Sequence, residues 1–316
     1  MIPYWYLTTI YLGPIPIHVW GLFVALGFIV ALCFLVREAR MRGMDVKVIV
    51  DLGALLLIAG MIGGRLGHVL FYEPAYYLAH PIDVLKIWEG GLSSFGGFLA
   101  AALVGLWFVR RQVFSSPFHR EGEGKNIPPP LLASESAAVR EGGRGGVCSP
   151  TNSATGTLLR YSDILLHALM LGWFIGRLGC YSIHDHPGIV CDGFFCIPFP
   201  DGVRRLDMGL MDGLLALAIF IIILILRRGG ASSPPAPDRR GLGPAPTAIP
   251  GITTALVLGL YGATRFCLDF LRVGDTVYYG LTPAQFGSVA LVVIAIVLAW
   301  RAYGLRGDVS HENESV

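Results

Sequence analysis

Charge is the scarcest commodity in this sequence. Asp, Glu, Lys and Arg make up 15% of its 316 residues, against about 25% in soluble domains. That shortage excludes an ordinary water-soluble fold, whose surface could not be solvated on so few charges. The net charge of +2 gives no reason to expect a nucleic-acid partner. The opening MIPYWYLTTIYLGPIPIHVW has no Lys or Arg and so lacks the basic region that begins a signal peptide. Its aromatics and prolines suit a segment lying at a membrane interface. The six cysteines form no CxxC, and Cys33 and Cys267 sit in apolar runs as small hydrophobes. What fills the space is apolar: 54% of residues are hydrophobic and the mean hydropathy is +0.62. The expectation is an all-α, polytopic membrane protein in the lipid bilayer.

Seven apolar runs stand out, at 18–36, 48–64, 92–109, 161–179, 210–226, 252–271 and 282–300. Each is near the ~20 residues that a spanning helix needs, so seven transmembrane helices are predicted within one transmembrane domain, 1–316. Of the 24 Lys and Arg, 17 fall on alternate loops, among them Arg37, Arg40, Arg110, Arg111, Arg227 and Arg228. By the positive-inside rule those loops are cytoplasmic, which puts the N-terminus in the periplasm and the C-terminus in the cytoplasm. Residues 112–159 are rich in Gly, Pro, Ser and Glu and read as a flexible cytoplasmic insert; 229–250 reads as a shorter linker of the same kind. Neither is expected to carry chemistry.

The remaining cations, Arg65, Lys86, Arg177, Arg204, Arg205, Arg265 and Arg272, all belong to the outward half. An Arg at a helix centre costs roughly 2.5–3.5 kcal/mol on insertion scales, so something beyond topology keeps them. The stretch from Arg65 to Gly97 combines charge with bare backbone at a membrane boundary, where both are tolerated only against protein or in a wet cavity. In LYGATRFCLDFLR, Tyr261, Arg265 and Asp269 follow at i, i+4, i+8 and share one helix face, with Arg272 three further on. This is either a self-neutralising structural pair or an anion-binding stripe whose planar guanidinium grips phosphate. Arg177, between two glycines, is either a snorkelling cation in a helix-packing patch or a second anion clamp. His184, Asp185 and His186 follow in the next loop. A lone H-x-H without a third ligand at a familiar spacing defines no metal site, so a general-base role is expected there instead. Cys180, Cys191 and Cys196 share that loop, where an oxidising compartment would allow a disulfide between Cys191 and Cys196. The serine in GLSSFG would suit an intramembrane protease only if His167 could take its proton, and the charge pattern puts His167 in the inner half.

At GGRLGHVLFYEPAYY (63–77), WEGGLSSFGG (88–97) and IGRLGCY (175–181) the chain resembles the bacterial prolipoprotein diacylglyceryl transferases. YGATRFCLDFLR (261–272) resembles their late arginine motif, and IHVWGLFVALGF (17–28) their first membrane helix. The resemblance runs through all seven apolar runs in order. It implies transfer of a diacylglyceryl group from phosphatidylglycerol to the lipobox cysteine of a prolipoprotein signal peptide, on the outer face of the bacterial inner membrane, with no metal and no cofactor. Motif by motif it implies that Arg65, Ser94, Gly96, Gly97, Gly179, Gly188, Tyr261, Asp269, Arg272 and Trp20 handle substrate, with Arg177 and Arg265 at the chemistry.

Several positions depart from the family's pattern. Phe95 stands where the family has a catalytic histidine, Cys180 where it has Asn, Trp20 where it has Tyr, and Asp269 where it has Glu; RLDMGLMD (205–212) replaces RHPSQLYE. With Phe95 there, the expected bases are His184 or His186, oriented by Asp185. A catalytically inactive paralogue that binds anionic phospholipid or lipoprotein is the alternative. A lipid scramblase would need a polar path to the cytoplasmic side, which the sequence does not offer.

Overall fold

The computed structural model describes residues 4–86, 91–115, 154–229, 249–274 and 277–313. A hairpin of β1 (Thr9–Leu12) and β2 (Ile15–His18) leads into α1 (Val19–Met41) and α2 (Val46–Phe71). The short α3 (Pro74–Ala79) and a 3-10 turn (Pro81–Leu85) precede α4 (Ser94–Ser115) and α5 (Ala154–Ile183). Then come β3 (Pro187–Val190), β4 (Cys196–Pro198), β5 (Arg204–Asp207), α6 (Met208–Gly229), α7 (Ile252–Asp269) and α8 (Pro283–Asn313). The chain is mostly helical, and every apolar run lies largely in a helix. Among the described residues five helices are long and apolar enough to cross a membrane: α1, α2, α5, α6 and α8.

Two short β-elements accompany the helices. The N-terminal segment pairs as an antiparallel hairpin, Thr9 opposite His18 and Leu12 opposite Ile15, around Gly13 at φ +63°. The loop after α5 forms an antiparallel sheet in the order β3-β5-β4, stapled by a Cys191–Cys196 disulfide. Such strands of three or four residues are too short to show a period-2 pattern above their surroundings. The expected insert is also shorter at both ends, because α4 continues to Ser115 and α5 starts at Ala154. The rest of that insert, and residues 230–248 of the linker, lie outside the described residues.

Packing divides the chain into two compact units, Met1–Glu38 with Leu159–Val316, and Ala39–Leu158. In the smaller unit α2 and α4 cross backbone to backbone. A Cβ on Gly96 would lie 2.4 Å from the Gly63 carbonyl oxygen and 2.8 Å from Gly67 Cα, and one on Gly97 would meet the Gly60 oxygen at 3.0 Å. Helices without side chains between them gain close van der Waals contact, the usual adhesive where lipid removes the hydrophobic drive.

The larger unit centres on Met170, Ala216, Ile219, Phe220, Ile223 and Val257, with Phe34 packed against them. The starts of its helices are fixed by side-chain caps, one of them from far along the chain. Asp163 of α5 accepts from Gly251 N at 2.8 Å and from Thr254 N at 2.7 Å, satisfying the first amides of α7. Asp207 caps α6 through Leu210 N at 2.9 Å. Thr282 and Gln285 cap α8 reciprocally, with Pro283 at the first helical position. His167 is buried between Phe34 and Phe220, with Arg227 Nη1 at 2.8 Å from its Nδ1 and the Phe220 carbonyl at 3.2 Å from its Nε2. Arg227 in turn donates to Glu38 at 2.9 Å and to Thr253 at 3.1 Å. His167 is thus a structural residue, and both of its nitrogens are engaged.

Candidate active site

The arginines of the larger unit converge on a residue that sequence reasoning did not single out. Asp212, in the second turn of α6, is 1% exposed. Its Oδ2 lies 2.7 Å from Arg177 Nε and accepts from Trp173 Nε1 at 3.3 Å, both on α5. Its Oδ1 accepts from Tyr261 OH at 3.3 Å and lies 3.9 Å from Arg265 Nη1, both on α7. One carboxylate thereby joins two guanidiniums and three helices. The local sequence makes room for this: a Cβ on Gly213 would come within 3.2 Å of Arg177 Cβ, and one on Gly209 within 3.0 Å of Tyr181 N. The available signal was the final Asp of RLDMGLMD, which keeps the carboxylate that ends the family's RHPSQLYE.

The predicted Arg265–Asp269 pair forms at 3.2 Å, and Asp269 also accepts from Thr282 Oγ1 at the start of α8. Arg177 stacks over Trp173 at 4.7 Å and directs Nη1 toward Cys180 Sγ at 3.8 Å. The Arg177 contact to Asp212 is a close ion pair rather than an aligned hydrogen bond: Arg177 Nε is buried without a hydrogen-bond partner, as are Arg265 Nη1 and Asp269 Oδ1. A buried polar atom without a hydrogen-bond partner calls for an explanation, a catalytic role or a bound water or ion among them.

The other predicted residues of this unit divide between site and scaffold. Trp20 is 39% exposed on α1. Gly179 lets α5 approach α1, since a Cβ there would meet Phe23 Cβ at 3.0 Å and the Trp20 oxygen at 3.2 Å. Gly188 pairs with Arg272 as an isolated bridge, and a Cβ there would lie 2.9 Å from the Leu271 oxygen.

His184 and His186 prove unlike. His184 takes the left-handed conformation (φ +49°) that ends α5. Its Nδ1 lies 2.7 Å from Asp207 Oδ2 and its Nε2 3.0 Å from the Trp5 carbonyl, under the Tyr4 ring at 4.4 Å. Acceptors face both nitrogens, so no lone pair points to a substrate, and the residue ties the N-terminal segment to β5. His186 is half-buried, with Nε2 3.5 Å from Asp185 Oδ2. Burial pushes its pKa below the usual 6.5, against the pull of Asp185, while burial pushes the Asp185 carboxyl up. Both effects favour the neutral imidazole that a base requires.

In the smaller unit, Arg65 is 5% exposed. It donates to the backbone oxygens of Asp83 (2.6 Å), Val84 (3.0 Å) and Gly91 (3.2 Å) and sits 5.2 Å over Tyr77. It holds the segment between α3 and α4 in place. Ser93 caps α4, accepting from Gly96 N at 3.3 Å, and its own amide donates to the Gly64 oxygen at 2.8 Å. Gly96 and Gly97 form the crossing with α2. Ser94 and Phe95 open α4, and their side chains lie outside the described residues.

A mostly helical chain with five helices long and apolar enough to cross a membrane, and in its larger unit a buried cluster of two arginines on one carboxylate, is a helical membrane protein. The family model described as prolipoprotein diacylglyceryl transferase matches residues 7–120 and 147–301. The chain belongs to that family. Among similar proteins is the phosphatidylglycerol–prolipoprotein diacylglyceryl transferase of Bordetella avium, 37% identical over 300 residues, covering 91% of this chain and 90% of the relative. The protein of that name from Tolumonas auensis is 29% identical over 294 residues, covering 92% of each.

Proposed function

We propose that this chain transfers the diacylglyceryl group of phosphatidylglycerol to the lipobox cysteine of prolipoproteins at the outer face of the bacterial inner membrane. All seven long helices act as spans of one transmembrane domain in the sequence, with the N-terminus periplasmic and the C-terminus cytoplasmic. The connections between α4 and α5 and between α6 and α7 are cytoplasmic. The observation that carries this reading is the Arg177–Asp212–Arg265 cluster, in which Asp212 keeps the two cations close while buried donors remain without aligned partners.

Arg177 and Arg265 receive the phosphate, steadied by Tyr261 and Asp269. Trp20, Gly179, Gly188 and Arg272 shape the surroundings. By resemblance to the family's motifs Arg65 and Ser94 serve substrate handling, and Gly96 and Gly97 serve it indirectly, by letting α2 and α4 pack closely. A free thiol has a pKa near 8.5, so the lipobox cysteine needs a base. His186 takes its proton; Asp185 at Nε2 favours the tautomer that leaves the lone pair on Nδ1. The thiolate sulfur bonds to the glyceryl carbon next to the phosphate, the carbon–oxygen bond breaks, and glycerol phosphate leaves with the electron pair. Guanidiniums fixed beside the developing charge lower that barrier by several kcal/mol.

Phe95, in place of the family's histidine, favours a second reading: an inactive paralogue that binds the lipid or the lipoprotein without turnover. Complementation of a strain depleted of its own transferase separates the two. Restored growth and lipoprotein modification support the enzyme; failure with the protein stably in the membrane supports the binder.

A further inference from the structure

Cys180 stands where the family has Asn, and its surroundings give the substitution a chemistry. Cys180 Sγ, an Asp185 carboxylate oxygen and a His186 ring nitrogen all lie within 4.8 Å of one another. They come together because His184, in its left-handed conformation, turns the chain back at the end of α5. The two residues after it therefore return over the last turn of the helix, where Cys180 sits.

We propose that Cys180, Asp185 and His186 form a binding site for a thiophilic divalent cation, with zinc the best match. Thiolate, imidazole and carboxylate are the three donor types that zinc accepts, at about 2.0–2.3 Å. Ligand atoms so bonded lie roughly 3.3–3.7 Å apart, so the set must close by about an ångström. The loop can supply that movement, since the Asp185 and His186 side chains are 36% and 32% exposed. The charges match: one thiolate and one carboxylate balance a dication, the thiol proton passing to solvent as the metal binds. The neighbouring Arg177 is already paired with Asp212 at 2.7 Å, which reduces its repulsion of the ion. Three protein ligands leave a fourth position for water.

Occupancy has a consequence that rests on the transfer reading above. The metal would engage the lone pair of His186 and draw the Cys180 sulfur from Arg177, so a metal-loaded protein would not transfer.

The binding test needs no activity. Purified full-length protein is titrated with cobalt(II) under a phosphine reductant, and the thiolate-to-cobalt charge-transfer band is followed in the near ultraviolet. One equivalent is expected to give the band, zinc to abolish it, and Cys180→Ser to remove it. His186→Gln, on the half-exposed loop, should weaken cobalt binding by at least about tenfold and decides the matter if the serine variant does not fold. No band in the wild type overturns the proposal. So does a band that survives Cys180→Ser, or one lost instead with Cys148→Ser or with Cys33→Ser or Cys267→Ser, the last two being the other free cysteines among the described residues. In the transfer assay, zinc should inhibit the wild type and spare whatever activity Cys180→Ser retains; equal inhibition of both overturns the regulatory part. Wild-type protein that binds cobalt but shows no transfer without metal contradicts the transfer reading alone.

Discussion

Replacing Asp212 by Asn removes one charge from a carboxylate that faces two guanidiniums, an indole and a phenol while nearly preserving its shape. Two unit charges about 4 Å apart attract by about 4 kcal/mol at an effective dielectric constant of 20. Arg177 Nε is closer, at 2.7 Å, but its side chain is 17% exposed and solvent screens part of the interaction. Removing one partner of a buried pair typically costs ~3–5 kcal/mol, chiefly because the other charge is left uncompensated. Here the amide would also turn a donor toward Arg177 and Trp173 or toward Tyr261, all of them donors now. A loss of about 3 kcal/mol lowers Tm by about 6–12 °C in a body of this size. If most of it is felt where the phosphate binds, transfer falls about 100-fold, at about 1.4 kcal/mol per decade. Asp212→Glu, which retains the charge, should recover much of both. The assays are a fluorescence melt in detergent and transfer from phosphatidylglycerol to a lipobox peptide. Transfer within about threefold of wild type with an unchanged Tm would refute the claim that Asp212 joins the two arginines.

Arg177→Lys and Arg265→Lys should each lose most transfer, because an ammonium keeps the charge but not the planar fork; near wild-type lipoprotein modification would reject phosphate clamping by these side chains. His186→Gln should abolish thioether formation while phosphatidylglycerol still binds, whereas His184→Gln should chiefly lower Tm, leaving Asp207 or the Trp5 carbonyl short of a donor at about 1–3 kcal/mol. The reverse pattern would make His184 the base. Gly96→Leu should prevent α2 and α4 from packing, since the added carbon meets the Gly63 oxygen at 2.4 Å; a fully stable variant would contradict that crossing. An alkaline phosphatase fusion at Ser134 should be inactive, and an active one would reverse the proposed orientation.

Much of the helical framework was legible because long apolar runs leave few alternatives to a helix. The Arg265–Asp269 pair was legible for a similar reason: i, i+4 spacing on a helix fixes proximity before any tertiary contact forms. Asp212 was not. Its partners lie 35 and 39 residues back and 49 and 53 residues on, and nothing in MGLMDGLLAL reports which helices will flank it. His184 and His186 look equivalent in HDHPG, yet one left-handed residue buries the first against Asp207 and leaves the second half-open. Gly96 and Gly97 show the limit from the other side. A glycine leaves room for a ligand or for a helix, and only the structure reveals that α2 occupies that space. The β-strands went unseen because three or four residues carry too little periodicity.

The central claim is that the bridged arginine pair serves diacylglyceryl transfer. Its most direct measurement is mass spectrometry of a synthetic lipobox peptide incubated with the purified protein in phosphatidylglycerol vesicles, beside Arg265→Lys. The account predicts a peptide heavier by one diacylglyceryl group on its cysteine, glycerol phosphate released in equal amount, and little product from the variant. An unmodified peptide with correctly folded wild-type protein, or equal product from both proteins, would contradict it.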